Sequence, residues 1–387
     1  MKNTIYIIVL LIIIGVGSLH AQDSSNDRPN LPKITGQLSS WANINGTNSS
    51  PVIFGARYIP QINYELEVAK NGLIDFEASA NLYGSLSLEH YDSRDLDGGL
   101  RMYRLWGRYS NEQMEVRLGL QKIDFGTATI LRPLRWFDQI DPRDPLQLTT
   151  GVYAALGRYY FLNNANIWFW VLYGNTSPKG MEILTTNPST IEIGGRVQFP
   201  VPVGEVGISY HHRTAESEDF NPMVPEYAYI PEDRIGLDAK WDLVLGLWFE
   251  AVWVHKSKDL GQFTNQELFT VGTDYTFGLG NGLNVVLEHM ITSYDVQAFQ
   301  FSNTNNFTAL SASYPVGMFD NLQLIVYYDW VNKGLYNFVN WYRQFNRTTL
   351  YVMAYWNPEN QSMPSMGMGG ENLYQGLGLQ IMFVFNH

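Results

Sequence analysis

Arg104, Arg108, Arg117, Arg158, Arg196 and Arg213 recur through the first half of the chain. The carboxylates Glu65, Glu77, Asp238, Glu250, Asp274, Glu288 and Asp329 stand on either side of them in sequence. Between Arg117 and Arg158 lies the stretch LRPLRWFDQIDPRDPLQL, Leu131 to Leu148, which sets Arg132, Arg135, Arg143, Asp138, Asp141 and Asp144 among three prolines. A guanidinium offers a planar fork of donors that matches a carboxylate. Opposed rows of arginines and carboxylates would therefore orient an anionic or dipolar solute rather than break a bond in it. Covalent chemistry finds less support. The one dense histidine site is His211-His212-Arg213, and neighbours on a strand point to opposite faces, so the two rings do not converge on one metal or one serine. No His, Cys and carboxylate cluster has ligand spacing, so neither an enzyme nor a metal or cofactor site is expected.

What must position these charges follows from composition and periodicity. The chain has no cysteine, so an exported protein would have neither disulfides nor a lipid anchor on an N-terminal cysteine. Aromatic residues make up 14% of it and charged residues only 16%, less charge than a soluble domain of this size usually carries. A formal charge of −12 argues against nucleic acid as a partner. The opening MKNTIYIIVLLIIIGVGSLHAQ reads as a signal peptide over residues 1–21, cut between Ala21 and Gln22, although Leu19 is larger than the residue usual at that place. Residues 22–32 read as a loose periplasmic lead-in and 33–387 as one domain. Beyond the leader no apolar run approaches the length of a spanning helix. A membrane protein of this sequence crosses with strands.

Alternation with period two dominates, in segments of about ten residues, the length of a tilted membrane strand. Leu377, Leu379, Ile381, Phe383 and Phe385 oppose Gly378, Gln380, Met382 and Val384. Ile191, Ile193, Val197 and Phe199 oppose Glu192, Arg196 and Gln198, and Ile235, Leu237 and Ala239 oppose Arg234, Asp238 and Lys240. Tight turns near 71–72, 111–113, 163–166, 201–204, 242–246, 278–282, 317–321 and 345–347 alternate with longer connections at 46–57, 87–98, 125–150, 175–189, 215–231, 257–266, 293–304, 332–335 and 357–373. That rhythm predicts an all-β transmembrane antiparallel β-barrel of about 18 strands, with 16 as the alternative because the strands near 335–344 and 348–356 carry the weakest pattern. A soluble β-sandwich or β-helix, burying the greasy face in a packed core, is the competing architecture.

If the apolar face of each strand meets lipid, the polar face lines the lumen and charges can be assigned by parity. The six arginines then form a basic wall over nearly consecutive strands. Asp238, Asp242, Glu250, Asp274, Glu288 and Asp329 form an acidic wall beyond it, and Glu65, Glu67, Asp75 and Glu77 flank it from the other side. Glu192 and Lys240 break the segregation, and scattered solvated charges are the plainer alternative. The segment 125–150, between the fifth and sixth strands, is too long for an idle connection. It is expected to fold inward as a constriction whose aspartates face Arg117 and Arg158; a loop held on the rim by Arg–Asp pairs is the alternative.

The run VRLGLQKIDFGTATILRPL, Val116 to Leu134, resembles the strand-then-loop passage of substrate porins and alginate-export-type outer-membrane barrels, through Arg117, Gly119, Gln121 and Gly126. The resemblance implies passive diffusion of a small hydrophilic solute in the outer membrane of a Gram-negative bacterium, with wall arginines and the inward loop defining an eyelet. Such chains usually end on an aromatic residue, whereas here Phe385 stands third from the end. The expected partners are outer-membrane lipid and that solute. A homo-oligomer stays open, because a subunit interface and a lipid face are both apolar. The competing function is a closed structural or surface-binding barrel presenting loops such as 215–231 and the methionine-containing 357–373, with no transport role.

Overall fold

The computed structural model describes residues 31–46, 52–68, 71–89, 93–140, 143–218, 220–221, 224–359 and 374–387. The expected signal peptide, nearly all of the lead-in 22–32, Asp141 and most of 357–373 lie outside the described residues. The chain divides after Leu31, and the unit Pro32–His387 contains every strand.

In chain order the strands are β1 (Lys33–Asn45), β2 (Val52–Val68), β3 (Gly72–Glu89), β4 (Ser93–Ser110), β5 (Met114–Gln121), β6 (Val152–Tyr160) and β7 (Asn166–Leu172). Then come β8 (Thr185–Thr186), β9 (Glu192–Val201), β10 (Gly204–Glu216), β11 (Ile230–Asp242), β12 (Gly246–Lys256) and β13 (Asn265–Phe277). The last six are β14 (Leu283–Asp295), β15 (Thr304–Pro315), β16 (Asp320–Asp329), β17 (Gly334–Gln344), β18 (Thr348–Trp356) and β19 (Leu377–Asn386). Each wall strand pairs antiparallel with its neighbour in sequence. The sheet closes where β1 meets β19, from Gln37 opposite Asn386 to Asn45 opposite Gly378. The two-residue β8 is not part of the wall: it adds onto β10 at Ala215 and Glu216 while β7 pairs directly with β9. The wall therefore has 18 strands, the count read from the sequence rather than its alternative of 16. Closure leaves no backbone edge unpaired in lipid.

Leu377, Leu379, Ile381 and Phe383 are exposed on β19, while Gln380, Met382 and Val384 between them are buried. Ile191, Ile193, Phe199, Ile235 and Leu237 are exposed as well, with Glu192, Arg196 and Asp238 buried on the other face. A sandwich or β-helix would have buried those apolar rows. Here they form the outer surface of the closed sheet, as the rows of a membrane-spanning barrel do. Leu379→Arg is accordingly expected to lower stability by about 2–4 kcal/mol if it sits near the bilayer midplane, measured by denaturant unfolding in lipid vesicles.

All eight predicted tight turns fall between strands, but one predicted long connection is strand throughout its described residues. Of the expected connection 87–98, all the described residues are strand, because β3 runs to Glu89 and β4 starts at Ser93. Residues 94–98 are all exposed; Leu86 faces Leu96 and Leu82 faces Leu100 on one side of the ribbon, but Arg94, Asp95 and Asp97 around Leu96 make that row read as a polar connection in the sequence.

Candidate functional site

The chain leaves the wall at Gln121, runs through the barrel interior and rejoins it at Val152. Pairs of apolar side chains explain why it stays inside. Ile123, Phe125, Leu134, Trp136 and Phe137 pack against Val152, Leu156, Trp170, Val252 and Val254 of the wall. Ile130 and Leu131 pack against Met290, Phe307, Tyr327, Tyr336 and Phe338 farther round. Polar attachment completes the seat. On β12, Glu250 Oε1 accepts the N–H groups of Thr127 (2.6 Å) and Ala128 (2.8 Å), and its Oε2 accepts that of Leu134 (2.9 Å). On β14, Glu288 accepts the N–H groups of Thr129 (2.7 Å), Ile130 (3.0 Å) and Leu131 (2.5 Å), the Thr129 hydroxyl (3.0 Å) and the Trp248 indole (3.0 Å). Runs of successive N–H groups make a concave anion site, and each glutamate fills one. Gly126, with φ +98°, is needed there because a Cβ would collide with the Glu250 carboxylate. These two inward carboxylates therefore act on the loop, not on arginines across an open lumen.

Within the loop, Arg132 grips Asp124 (2.8 Å) and the Phe125 carbonyl (3.1 Å), and Arg135 donates to the Ile140 carbonyl (3.3 Å). Burial by itself would raise the Asp124 carboxyl; the charges of Arg132 and Lys122 outweigh it and hold the group below its usual value. Asp138 is fully buried, accepts the Gly151 N–H (2.7 Å) through Oδ1, and is pushed up to about 6 by burial. The sign follows directly. The docked loop binds this proton more tightly than a released loop whose carboxyl titrates near 3.8, so docking strengthens as pH falls through about 6 and is at its weakest above it. The gain accrues between about pH 6 and 3.8, reaching on the order of 3 kcal/mol at the acid end and about 1 kcal/mol at pH 5. Proteolytic cleavage of the loop in the assembled barrel is expected to slow on acidification from neutral pH to pH 5, and Asp138→Asn to reduce that dependence. Asp144 accepts the Leu146 N–H (3.0 Å), and Arg143 lies over the rings of Tyr374 (5.1 Å) and Phe338 (5.7 Å).

Among the described residues the carboxylate beside Arg117 and Arg158 is Glu115 on β5 itself, not the expected loop residues Asp138 or Asp144. It lies 3.0 Å from Arg117, 3.6 Å from Arg158 and 3.7 Å from Arg108. Asp75 takes Arg108 at 2.9 Å. Glu115 shares the parity of Arg117 two residues on, which was signal enough to find it. Arg104 binds the Thr149 hydroxyl and the Thr150 carbonyl, stitching the returning loop to β4. A register shift opposite Ser79 and Ala80 inserts Tyr103 as an extra residue, and the Arg104 guanidinium stacks 4.2 Å over that ring.

The basic wall does not continue as an open surface to Arg196 and Arg213. Arg196 is clamped by Asp238 at 2.5 and 2.8 Å. Arg213 is fully buried, bidentate on Glu232 (2.7 and 3.0 Å) and bonded to Glu182 (3.0 Å). Glu182 belongs to a second inward segment, between β7 and β9, which sequence reasoning took for an ordinary outer loop. Its Lys179 binds Glu192 (3.2 Å), Glu192 binds His211 (3.1 Å), and Arg234 joins Glu182 (2.7 Å) to Glu232 (2.6 Å). The two segments meet at Gly180, whose φ of +52° and close approach to the Arg135 carbonyl leave no room for a side chain. His212 turns outward to Asp233 (2.9 Å), on the face opposite His211. Of the other acidic positions, Asp329 caps the turn after β16 through the N–H groups of Val331 (2.9 Å) and Asn332 (3.0 Å), Glu65 is exposed near the end of β2, and Glu77 and Asp274 are half-buried. Among the described residues no group of three His, Cys, Asp or Glu is placed to hold a metal ion.

No family model and no curated protein matches this chain in sequence. Solved structures do. OccAB1 of Acinetobacter baumannii superposes with a TM-score of 0.54 at 10% identity, over 92% of this chain and 96% of that one. The anion-selective porin from Comamonas acidovorans gives 0.51 at 11% identity, over 92% and 100%. The fold is porin-like. OccAB4 of Acinetobacter baumannii agrees, with 0.53 at 9% identity over 94% and 99%. At such identity the likeness extends to the path of the backbone, so the charged interior of this porin-like barrel has to be understood from its own residues.

Proposed function

We propose that this chain is an outer-membrane channel of a Gram-negative bacterium, through which small hydrophilic solutes pass by passive diffusion, without enzymatic turnover. In this reading residues 1–21 are a signal peptide, 22–32 a periplasmic lead-in and 33–387 the barrel. The observation that carries it is the loop after β5, held across the lumen by the two glutamates of the opposite wall. An 18-stranded barrel is wide enough for water, and a loop seated inside it sets the eyelet instead of the wall. Arg104, Arg108, Arg117 and Arg158 on one side, with Glu77 and Asp75, would orient anionic or dipolar solutes there. The Comamonas neighbour is called anion-selective in its own right, which agrees with this assignment.

A closed structural or surface-binding barrel is the second reading, and one feature favours it: two apolar clusters and a buried charge network occupy much of the interior. Planar-bilayer conductance separates the two. Deleting residues 133–145 is expected to raise single-channel conductance and admit bulkier sugars while heat-modifiable migration on gels, the sign of an assembled barrel, persists. A wild-type barrel that carries no current overturns the channel.

A further inference from the structure

A cavity of about 200 Å3 lies inside the barrel between loop residues Arg143 to Gln147 and the lumenal faces of β16, β17 and β18. It is smaller than the roughly 300–1,000 Å3 typical of sites for drug-sized ligands, so it suits an occupant of about one ring. The strand register orders its wall. Tyr342 stands opposite Tyr351, Gln323 opposite Asn340, and Ile325 opposite Phe338, each row two residues from the next. An amide row is therefore bracketed by aromatic rows, at the spacing of roughly 7 Å that separates same-face residues on a strand. Gln147 presents a third amide from the loop, with its backbone held at φ +45°.

The chemistry of that lining selects its ligand. Aromatic faces attract the weakly positive C–H groups of a ring, and planar amides can reach two adjacent hydroxyls at once. Arg143 and Asp144 carry opposite charges, so the lining has no net pull on an anion or a cation. Asn340 Oδ1 is buried with no hydrogen-bond partner among the described residues, and an acceptor in that position is satisfied by an O–H and repelled by a carboxylate. We propose that this cavity is a saccharide station that binds one neutral hexopyranose ring, stacked on the Tyr342 and Tyr351 rings and hydrogen-bonded by Gln323, Asn340 and Gln147, with the buried Phe338 closing its floor. The inference rests on reading the lumen as the solute path, and it adds to the charged side of that path a separate stop for one class of uncharged hydrophilic solute.

Saturation-transfer NMR on the full-length barrel in detergent tests it, with D-glucose, D-glucuronate and L-alanine as probes and bilayer conductance measured on the same preparation. Transfer to the ring C–H protons of glucose is expected, with a Kd raised about tenfold by Tyr342→Ala, the loss of one ring contact. Tyr342→Phe should leave it nearly unchanged and Asn340→Leu should weaken it several-fold. Should Tyr342→Ala not assemble, Asn340→Leu and Gln323→Leu carry the same comparison. A barrel that conducts but shows no transfer to glucose overturns the station and leaves the channel standing. Glucose binding by a barrel that does not conduct supports the station and overturns the channel. Binding of glucuronate or alanine without glucose, or glucose binding indifferent to all these substitutions, overturns the saccharide assignment.

Discussion

Conductance is expected to rise and become noisy when Glu250 and Glu288 are both replaced by alanine, because the loop after β5 then loses its attachment to the far wall. Together the two carboxylates accept six backbone N–H groups of residues 127–134. Each bond to a charged acceptor contributes about 1.5–3 kcal/mol, and alanine leaves the buried N–H groups without the carboxylates they donate to, so the double change costs several kcal/mol of docking. The barrel itself should survive, since the ladders of β12 with β11 and β13 and of β14 with β13 and β15 do not involve these side chains. Single-channel recording distinguishes the outcomes. Unchanged conductance in an assembled double variant would mean that the apolar clusters alone seat the loop.

Removing Arg213 is expected to be the most damaging single change to stability. Its guanidinium is bidentate on Glu232 and also bound to Glu182, Thr186 (2.8 Å) and the Leu184 carbonyl (3.2 Å), all away from solvent. Arg213→Ala leaves two buried carboxylates short of a cation, which costs about 3–5 kcal/mol. Arg213→Lys should recover only part of this, because an ammonium cannot span both oxygens of Glu232 while reaching Glu182. The exposed pair of Lys240 and Asp242, at 3.2 Å, is the control, and Lys240→Ala should cost less than about 1 kcal/mol. Denaturant unfolding in detergent, followed by tryptophan fluorescence, reads all three. Equal losses at Arg213 and Lys240 would show that the inward segment between β7 and β9 is not held by this network.

By itself the sequence determined the wall. Residues that alternate every second position, as Leu377 to Val384 do, can satisfy lipid on one side and a polar interior on the other only as a strand, and turn residues at regular intervals cut such strands to membrane length. Parity along one strand is a local property, so the inward placement of Arg104, Arg196 or Glu288 was legible. The length and prolines of the segment after β5 also marked it as more than a connector. The partners were not legible. Whether Arg196 faces open lumen or Asp238, and whether Glu250 meets a solute or the N–H of Leu134, depends on contacts between strands and loops more than forty positions apart in sequence. The same holds for the inward course of the segment around Glu182, whose sequence reads as an outer loop until Arg213 and Arg234 are seen to need its carboxylate. The extra residue at Tyr103 was hidden because it breaks the period of two, and the ribbon of β3 and β4 because Arg94, Asp95 and Asp97 crowd its sparse leucine row. Strand identity is set by neighbours two residues away, whereas ion pairing in a closed lumen is set by the ring of eighteen strands and by the loops that fold into it, and only the tertiary structure brings those together.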